Sequence, residues 1–181
     1  TFVLNPAPAQ ALSAELLALV DVMTPNHTEL KQAFALSETA SDADIAQMLP
    51  AHMQLVMTEG ANGASHYSAA GKRHWPAFKV DVVDTTGAGD TFNAGLAVYW
   101  SQGLDVAVQH AQASAALAVQ KLRAQTAMPT ADAVGLFIKQ QTRLGLQAGQ
   151  FRLHGRNAGA AVCHLALQHA GILTCFAGVG Q

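Results

Sequence analysis

Short apolar runs and longer stretches with helical spacing alternate along the first 142 residues of this chain. Phe2-Val3-Leu4 reads as a strand that ends in the proline-stiffened loop Asn5-Pro6-Ala7-Pro8, and a strand at the very first residues predicts that further chain precedes it. Leu12, Leu16, Leu17 and Val20 mark one face of a helix over 11–20, and Val22-Met23-Thr24 predicts the next strand. Residues 31–53 read as helical with a loop near 37–41, where Ser37, Thr39 and Ser41 are candidate caps. Gln54-Leu55-Val56-Met57-Thr58 predicts a buried strand, and residues 64–76 alternate weakly about Ala70-Gly71-Lys72 as a hairpin would.

Phe78, Val80, Val82 and Val83 predict one more buried strand, after which Phe92, Ala94, Leu96, Ala97 and Trp100 recur at helical spacing. A loop at Gly103-Leu104 leads to an Ala-rich helix over 105–121, and Thr130 caps a helix over 130–142. Strand and helix in alternation predict an α/β fold, a three-layer α/β/α sandwich with a mostly parallel sheet whose ligands lie at the carboxyl edge of the strands. Residues 143–154, with Gly145 and Gly149, read as a linker. Beyond it, Gly155-Arg156-Asn157-Ala158-Gly159 opens a helix carrying Val162, Leu165, Ala166 and Leu167, then Gly171 and a strand from Ile172 to Ala177.

Composition narrows the partners. Half of the 181 residues are apolar, enough for one domain with a real core, and the formal charge of −2 with ten Lys and Arg spread thinly excludes nucleic acid or an acidic membrane as the main partner. A small molecule is the expectation. Cys163 and Cys175 form no disulfide framework, no apolar run approaches the ~20 residues of a membrane span, and no leader is visible, so a cytoplasmic location is expected. Eight histidines are scattered, with no His-x-x-x-His pair to suggest a metal site.

The chemistry concentrates at Asp84-Thr85-Thr86-Gly87-Ala88-Gly89-Asp90-Thr91-Phe92, read as strand, tight turn and helix start. Gly87 and Gly89 permit dihedrals that other residues avoid, and the first N–H groups of a helix have no internal acceptors, so the turn is a candidate anion nest. Asp90 would then be a carboxylate placed beside the anion, suited to act as a general base in phosphoryl transfer. Upstream, Asn26 followed by Glu29 is a capping box at a helix start, and Thr58 followed by Gly60 and Gly63 is a tight turn at a strand's carboxyl end.

The nine-residue string resembles the signature of the ribokinase (carbohydrate kinase) family, and the resemblance runs in order through residues 1–142. It implies an ATP-dependent transfer of the γ-phosphoryl group to a sugar hydroxyl, with ribose the expected acceptor. Asp90 would be the base and the N–H groups of Gly87, Ala88 and Gly89 the anion hole. The resemblance further implies that Thr24-Pro25-Asn26-x-x-Glu29 organises Mg²⁺ and phosphate through water, that Thr58, Gly60 and Gly63 contact the nucleotide, and that Gln112 lies near the adenine. A monovalent cation, K⁺, would sit at Asp84 and the Thr86 carbonyl. The chain departs from the family pattern there: Arg123 stands where relatives carry glycine, and Ala127 where they carry serine.

The tail resembles the amino-terminal sugar loop of the same family, placing Gly155 and Asn157 against the sugar, but in reversed order. Circular permutation, a tandem duplication ending in its second copy and an unrelated tail all stay open. So do two other functional readings: a catalytically silent nucleotide-binding or assembly module, with a second copy or a partner chain completing the sheet, and a kinase of nucleosides or another small alcohol.

Overall fold

The computed structural model describes residues 1–37, 39–68 and 71–154, with side chains described as far as residue 144. Two compact units divide the chain, Thr1–Lys139 and Gln140–Gln181. The predicted tail from Gly155 onward, with Gly155 and Asn157, lies outside the described residues.

The first unit is built on a sheet of five strands in the order β1 (Val3–Leu4), β2 (Val22–Met23), β3 (Gln54–Thr58), β4 (Ala64–Ser68) and β5 (Gly71–Trp75). β1, β2 and β3 are parallel, and the hairpin β4–β5 adds two antiparallel strands, so the sheet is mixed rather than mostly parallel. Strand side chains alternate between faces, and two cores result. Met23, Leu55 and Met57 pack with Val20, Leu30, Ile45 and Tyr67 under helices α2 (His27–Ala33) and α3 (Asp42–Met48). Val22 and Val56 pack instead with Phe92, Leu96, Ala107, Val108 and Ala111 of helices α4 (Ala88–Tyr99) and α5 (Leu104–Ala118). This is the expected α/β/α sandwich.

Helix starts follow the local chemistry. Asn26 and Ser41 each form a capping box, with Glu29 and Asp44 respectively, which satisfies two amide donors that the helix leaves free. Ser41 is the cap among the three candidates. The helices predicted over 11–20 and 31–53 are shorter than expected: α1 spans Ala14–Leu17, and the second becomes α2 and α3. On α4 the buried stripe is Thr91, Phe92, Gly95 and Leu96, while Ala94 and Ala97 are exposed. Gly95 is small for a reason. A Cβ there would stand 2.9 Å from both Ala111 Cα and Ser114 Oγ, so glycine lets α4 and α5 cross closely.

Two sequence expectations fail. No strand forms over Phe78–Val83: Phe78 and Val80 pack against Val134 and Phe137, whereas Val82 and Val83 are 60% and 57% exposed. Their alternation records burial against helices, without the neighbouring ladder that makes a strand. Nor does the helix predicted over 130–142 end there, because α7 (Ala131–His154), whose Thr130 cap accepts the Ala133 amide, continues through residues 143–154. Glycines 145 and 149 cost such a helix only ~1 kcal/mol each. Among the described residues no helix is long and apolar enough to cross a membrane.

Backbone geometry yields two predictions. Gly63 has φ +113°, and a Cβ on it would lie 2.1 Å from the Trp75 carbonyl oxygen, so Gly63→Ala should destabilise the protein by about 2–4 kcal/mol. An unchanged urea midpoint would contradict this close approach. Arg123, at the start of α6 (Ala124–Ala127), has φ +73° and ψ +136°, a conformation that favours glycine. Arg123→Gly should therefore stabilise by about 1 kcal/mol, the relieved strain being partly offset by a freer unfolded chain; a lower thermal midpoint would refute it.

Candidate functional site

At the carboxyl ends of β2 and β3 the chain opens a cleft of about 480 Å³, lined by Asn26, His27, Thr28, Asp42, Met57, Thr58, Glu59, Gly60, Asn62, Tyr67 and Lys72. Thr58 and Asn26 pair as an isolated parallel bridge, and the Thr58 amide donates to the Pro25 carbonyl at 2.8 Å. The Asn26 Oδ1 accepts the Glu29 amide at 2.9 Å, and Glu29 Oε2 accepts the Asn26 amide at 2.7 Å. Hence the predicted Asn26, Thr58 and Gly60 come together at one wall. Gly63 does not line the cleft; it closes the turn, its carbonyl accepting the Glu59 amide at 2.8 Å.

Of the lining residues not anticipated as site residues from the sequence, Asp42, Glu59, Tyr67 and Lys72 form one bonded group. Glu59, 17% exposed at its side chain, holds Lys72 at 3.6 Å and His74 at 3.3 Å, and accepts the Ser65 hydroxyl at 2.7 Å. His74 Nδ1 also lies 3.0 Å from Ser65 Oγ. Because that hydroxyl donates to Glu59, the ring nitrogen is the donor of the second bond. The Tyr67 hydroxyl donates to Asp42 Oδ1 at 2.9 Å, and burial pushes the phenol up from its ordinary pKa. Its hydrogen bond with Tyr67, more than the flanking carboxylates, raises the Lys72 ammonium above the usual lysine range. Tyr67 and Lys72 face each other across the hairpin, while Asp42 comes from a distant helix. The hairpin register sets Tyr67 against Lys72, and packing of α3 brings in Asp42, a meeting that no local sequence signal announces.

The second cluster is the turn before α4. Gly87 caps the helix at φ +76°, in the left-handed region, and Thr91 returns both its amide and its hydroxyl to the Gly87 carbonyl at 2.9 Å. Gly89, by contrast, lies inside the helix, and a Cβ on it would meet open space. The expectation that both glycines supply special dihedrals therefore holds for Gly87 alone. The Ala88 amide donates to the Thr85 carbonyl at 3.1 Å, which removes it from the expected anion-facing set. Among the described residues no acceptor takes the amides of Gly87, Gly89 or Asp90.

Asp84 braces this turn. Its Oδ1 accepts the Thr86 amide at 2.9 Å and its Oδ2 the Arg123 amide at 3.1 Å. Bonds from Thr86, side chain and backbone, and from the Arg123 amide hold the Asp84 carboxyl below the usual carboxylate range. Asp90 stands exposed in the first turn of α4. Gln112 is buried on α5, and one of its two side-chain N–H groups fastens the hairpin by donating to the Trp75 carbonyl at 2.9 Å. Among the described residues no group of three or more His, Cys, Asp or Glu is placed to hold a metal directly.

Comparison with known proteins places this geometry. The sequence profile of the pfkB family carbohydrate kinases matches residues 1–131. Ribokinase from Haemophilus influenzae is 38% identical over 134 residues, covering 71% of this chain and 44% of that protein. Ribokinase from Bacillus subtilis is 42% identical over 135 residues, covering 73% and 44% respectively. Among solved structures, Thermotoga maritima ribokinase superposes with a TM-score of 0.65 at 33% identity over 76% of this chain and 48% of that one. Arabidopsis thaliana ribokinase, solved in complex with ribose and ATP, gives 0.67 at 27% identity over 76% and 47%. The chain thus spans under half the length of the relatives it matches. It belongs to the pfkB family of carbohydrate kinases.

Proposed function

We propose that this chain carries the nucleotide-binding and phosphoryl-transfer residues of an ATP-dependent sugar kinase, with ribose as the first acceptor to test. The observation that supports it most directly is the left-handed Gly87 turn, which opens α4 with unengaged amides and sets Asp90 in the first turn. Asp90 would accept the proton of the acceptor hydroxyl as its oxygen bonds to the γ-phosphorus and the bond to the β-phosphate oxygen breaks, releasing ADP. The amides of Gly87 and Gly89 would meet the developing negative charge, a contribution of ~3–4 kcal/mol per donor in comparable sites.

The cleft at Asn26, Thr58 and Gly60 would take the rest of the nucleotide. Hard oxygen donors and retained water suit Mg²⁺. The capping box engages Oε2 of Glu29, so Oε1 is the oxygen through which a hydrated Mg²⁺ would be held beside Asn26. Bound there, Mg²⁺ would neutralise phosphate charge. Gly155 and Asn157 are proposed sugar contacts, residues 143–154 the approach to them, Gln112 a neighbour of the adenine, and the cytoplasm the compartment. A kinase of nucleosides or another small alcohol would share all of this chemistry and differ only in the acceptor.

A second reading, a nucleotide-binding module completed by a partner chain or a second copy, is favoured by one observation: β1 is hydrogen-bonded to β2 and to no other strand among those described. Such an edge invites pairing. Light scattering that returned only the monomer mass at working concentrations would remove the second copy.

Asp90→Asn should lower ribose-dependent ATP turnover at least ~100-fold while leaving Mg-ATP affinity near that of the wild type. A variant as active as the wild type would end the assignment of Asp90 as base. K⁺ is the candidate monovalent cation at Asp84 and Thr86. Since both Asp84 oxygens already accept amides and Arg123 and Ala127 depart from the family pattern, turnover should change little when K⁺ is replaced by tetramethylammonium. A large drop would restore that cation site.

A further inference from the structure

On the wall of the cleft, the Lys72 ammonium stands between two carboxylates, 3.6 Å from Asp42 Oδ2 and 3.6 Å from Glu59 Oε1, and 5.1 Å from the centroid of the Tyr67 ring. All of these residues line the same cleft as Asn26 and Thr58. Asp42 comes from the first turn of α3, Glu59 from the turn after β3, and Lys72 from β5. Without the lysine, this wall would present two carboxylates to whatever enters. A nucleotide's phosphates carry the same sign, and like charges a few ångströms apart repel appreciably even when partly solvated. Tyr67 cannot neutralise the carboxylates, since a phenol carries no positive charge in either protonation state; its hydroxyl only donates to Asp42 Oδ1. His74 Nδ1 lies 3.3 Å from Glu59 Oε2, whereas Lys72 approaches Oε1.

Resting on the reading of this cleft as the nucleotide site, we infer that Lys72 is a positioning residue for nucleotide binding: it neutralises Asp42 and Glu59 on the cleft wall, admits the phosphates and ties the Thr58–Gly63 turn to α3. It acts through those two carboxylates, with no role in the transfer step itself. A purely structural lysine would affect all ligands and all salt concentrations alike. A charge screen predicts a different pattern.

The test measures Mg-ATP and adenosine affinity on the full 181-residue chain by calorimetry, at low and high salt, beside thermal unfolding. Lys72→Met should raise the Kd for Mg-ATP roughly fivefold at low salt, the size expected for a partly exposed charge pair. The effect should shrink near 1 M salt, where screening reaches ~3 Å, and should leave uncharged adenosine unaffected. Lys72→Arg should match the wild type, and Glu59→Gln added to Lys72→Met should restore affinity. Equal weakening of Mg-ATP and adenosine, or no weakening of either, would overturn the role of Lys72 and leave the nucleotide site standing. A wild-type chain that binds neither ligand would instead overturn the nucleotide reading and this inference with it. Should Lys72→Met not fold, Asp42→Asn carries the test. Removing one negative charge should tighten Mg-ATP roughly twofold or more without changing adenosine, and an unchanged Mg-ATP affinity there refutes the screen.

Discussion

Everything at the cleft depends on the parallel register of β2 against β3. Val22 stands opposite Gln54 and Met23 opposite Leu55, and the same offset carries past the strand ends to pair Asn26 with Thr58. Proline 25 has no amide to donate, but its carbonyl accepts the Thr58 amide, so the pairing survives the point where β2 turns into α2. Slipping β3 by one residue against β2 would exchange its two faces, moving Leu55 and Met57 out of one core and Val56 out of the other. The same shift would separate the Asn26 capping box from the Thr58 turn. Two apolar cores therefore hold two polar loops in contact, and Met57 and Tyr67 of the first core also line the cleft.

What was legible in the sequence follows from this division between local and distant causes. The strand Gln54–Thr58, the hairpin after it, the Asn26–Glu29 box and the Gly87 turn are each set by neighbours within a few residues: β-branched runs, paired caps, a glycine that alone tolerates positive φ. Phe78 to Val83 misled because alternation says nothing of what lies against the apolar positions. Here Phe78 and Val80 pack against helices, while Val82 and Val83 stay largely exposed. Glycines 145 and 149 misled in the other direction, since helix propensity is a weak prior that a continuing helix can override. The group around Lys72 was invisible for the strongest reason: its members come from α3, the turn after β3, and both strands of the hairpin.

The turn before α4 leaves unengaged the donors that the proposed anion site would use. A carboxylate close to such a site ought to weaken it, yet Asp84 sits beside this turn. Its oxygens are directed to the amides of Thr86 and Arg123, neighbours of the nest rather than members of it. Thr91 meanwhile takes the Gly87 carbonyl with two bonds, turning that acceptor away from the site. What remains pointing outward is the group of amides at Gly87, Gly89 and Asp90. Donors whose orientation is fixed before a ligand arrives need no reorganisation when charge develops against them.

That arrangement also accounts for the strained residue nearby. Arg123 holds φ +73°, a conformation that costs a non-glycine residue ~1–3 kcal/mol, and its amide is the one bonded to Asp84 Oδ2. Ala124, next in the chain, lies where a Cβ on Gly87 would stand only 2.6 Å from its own Cβ. The strained backbone at Arg123 therefore delivers two contacts to the same turn, an amide to Asp84 and a methyl group against Gly87. The second admits glycine alone at position 87. Strain at one residue and the absence of a side chain at another are thus parts of a single constraint, which fixes where α4 begins and with it the position of Asp90.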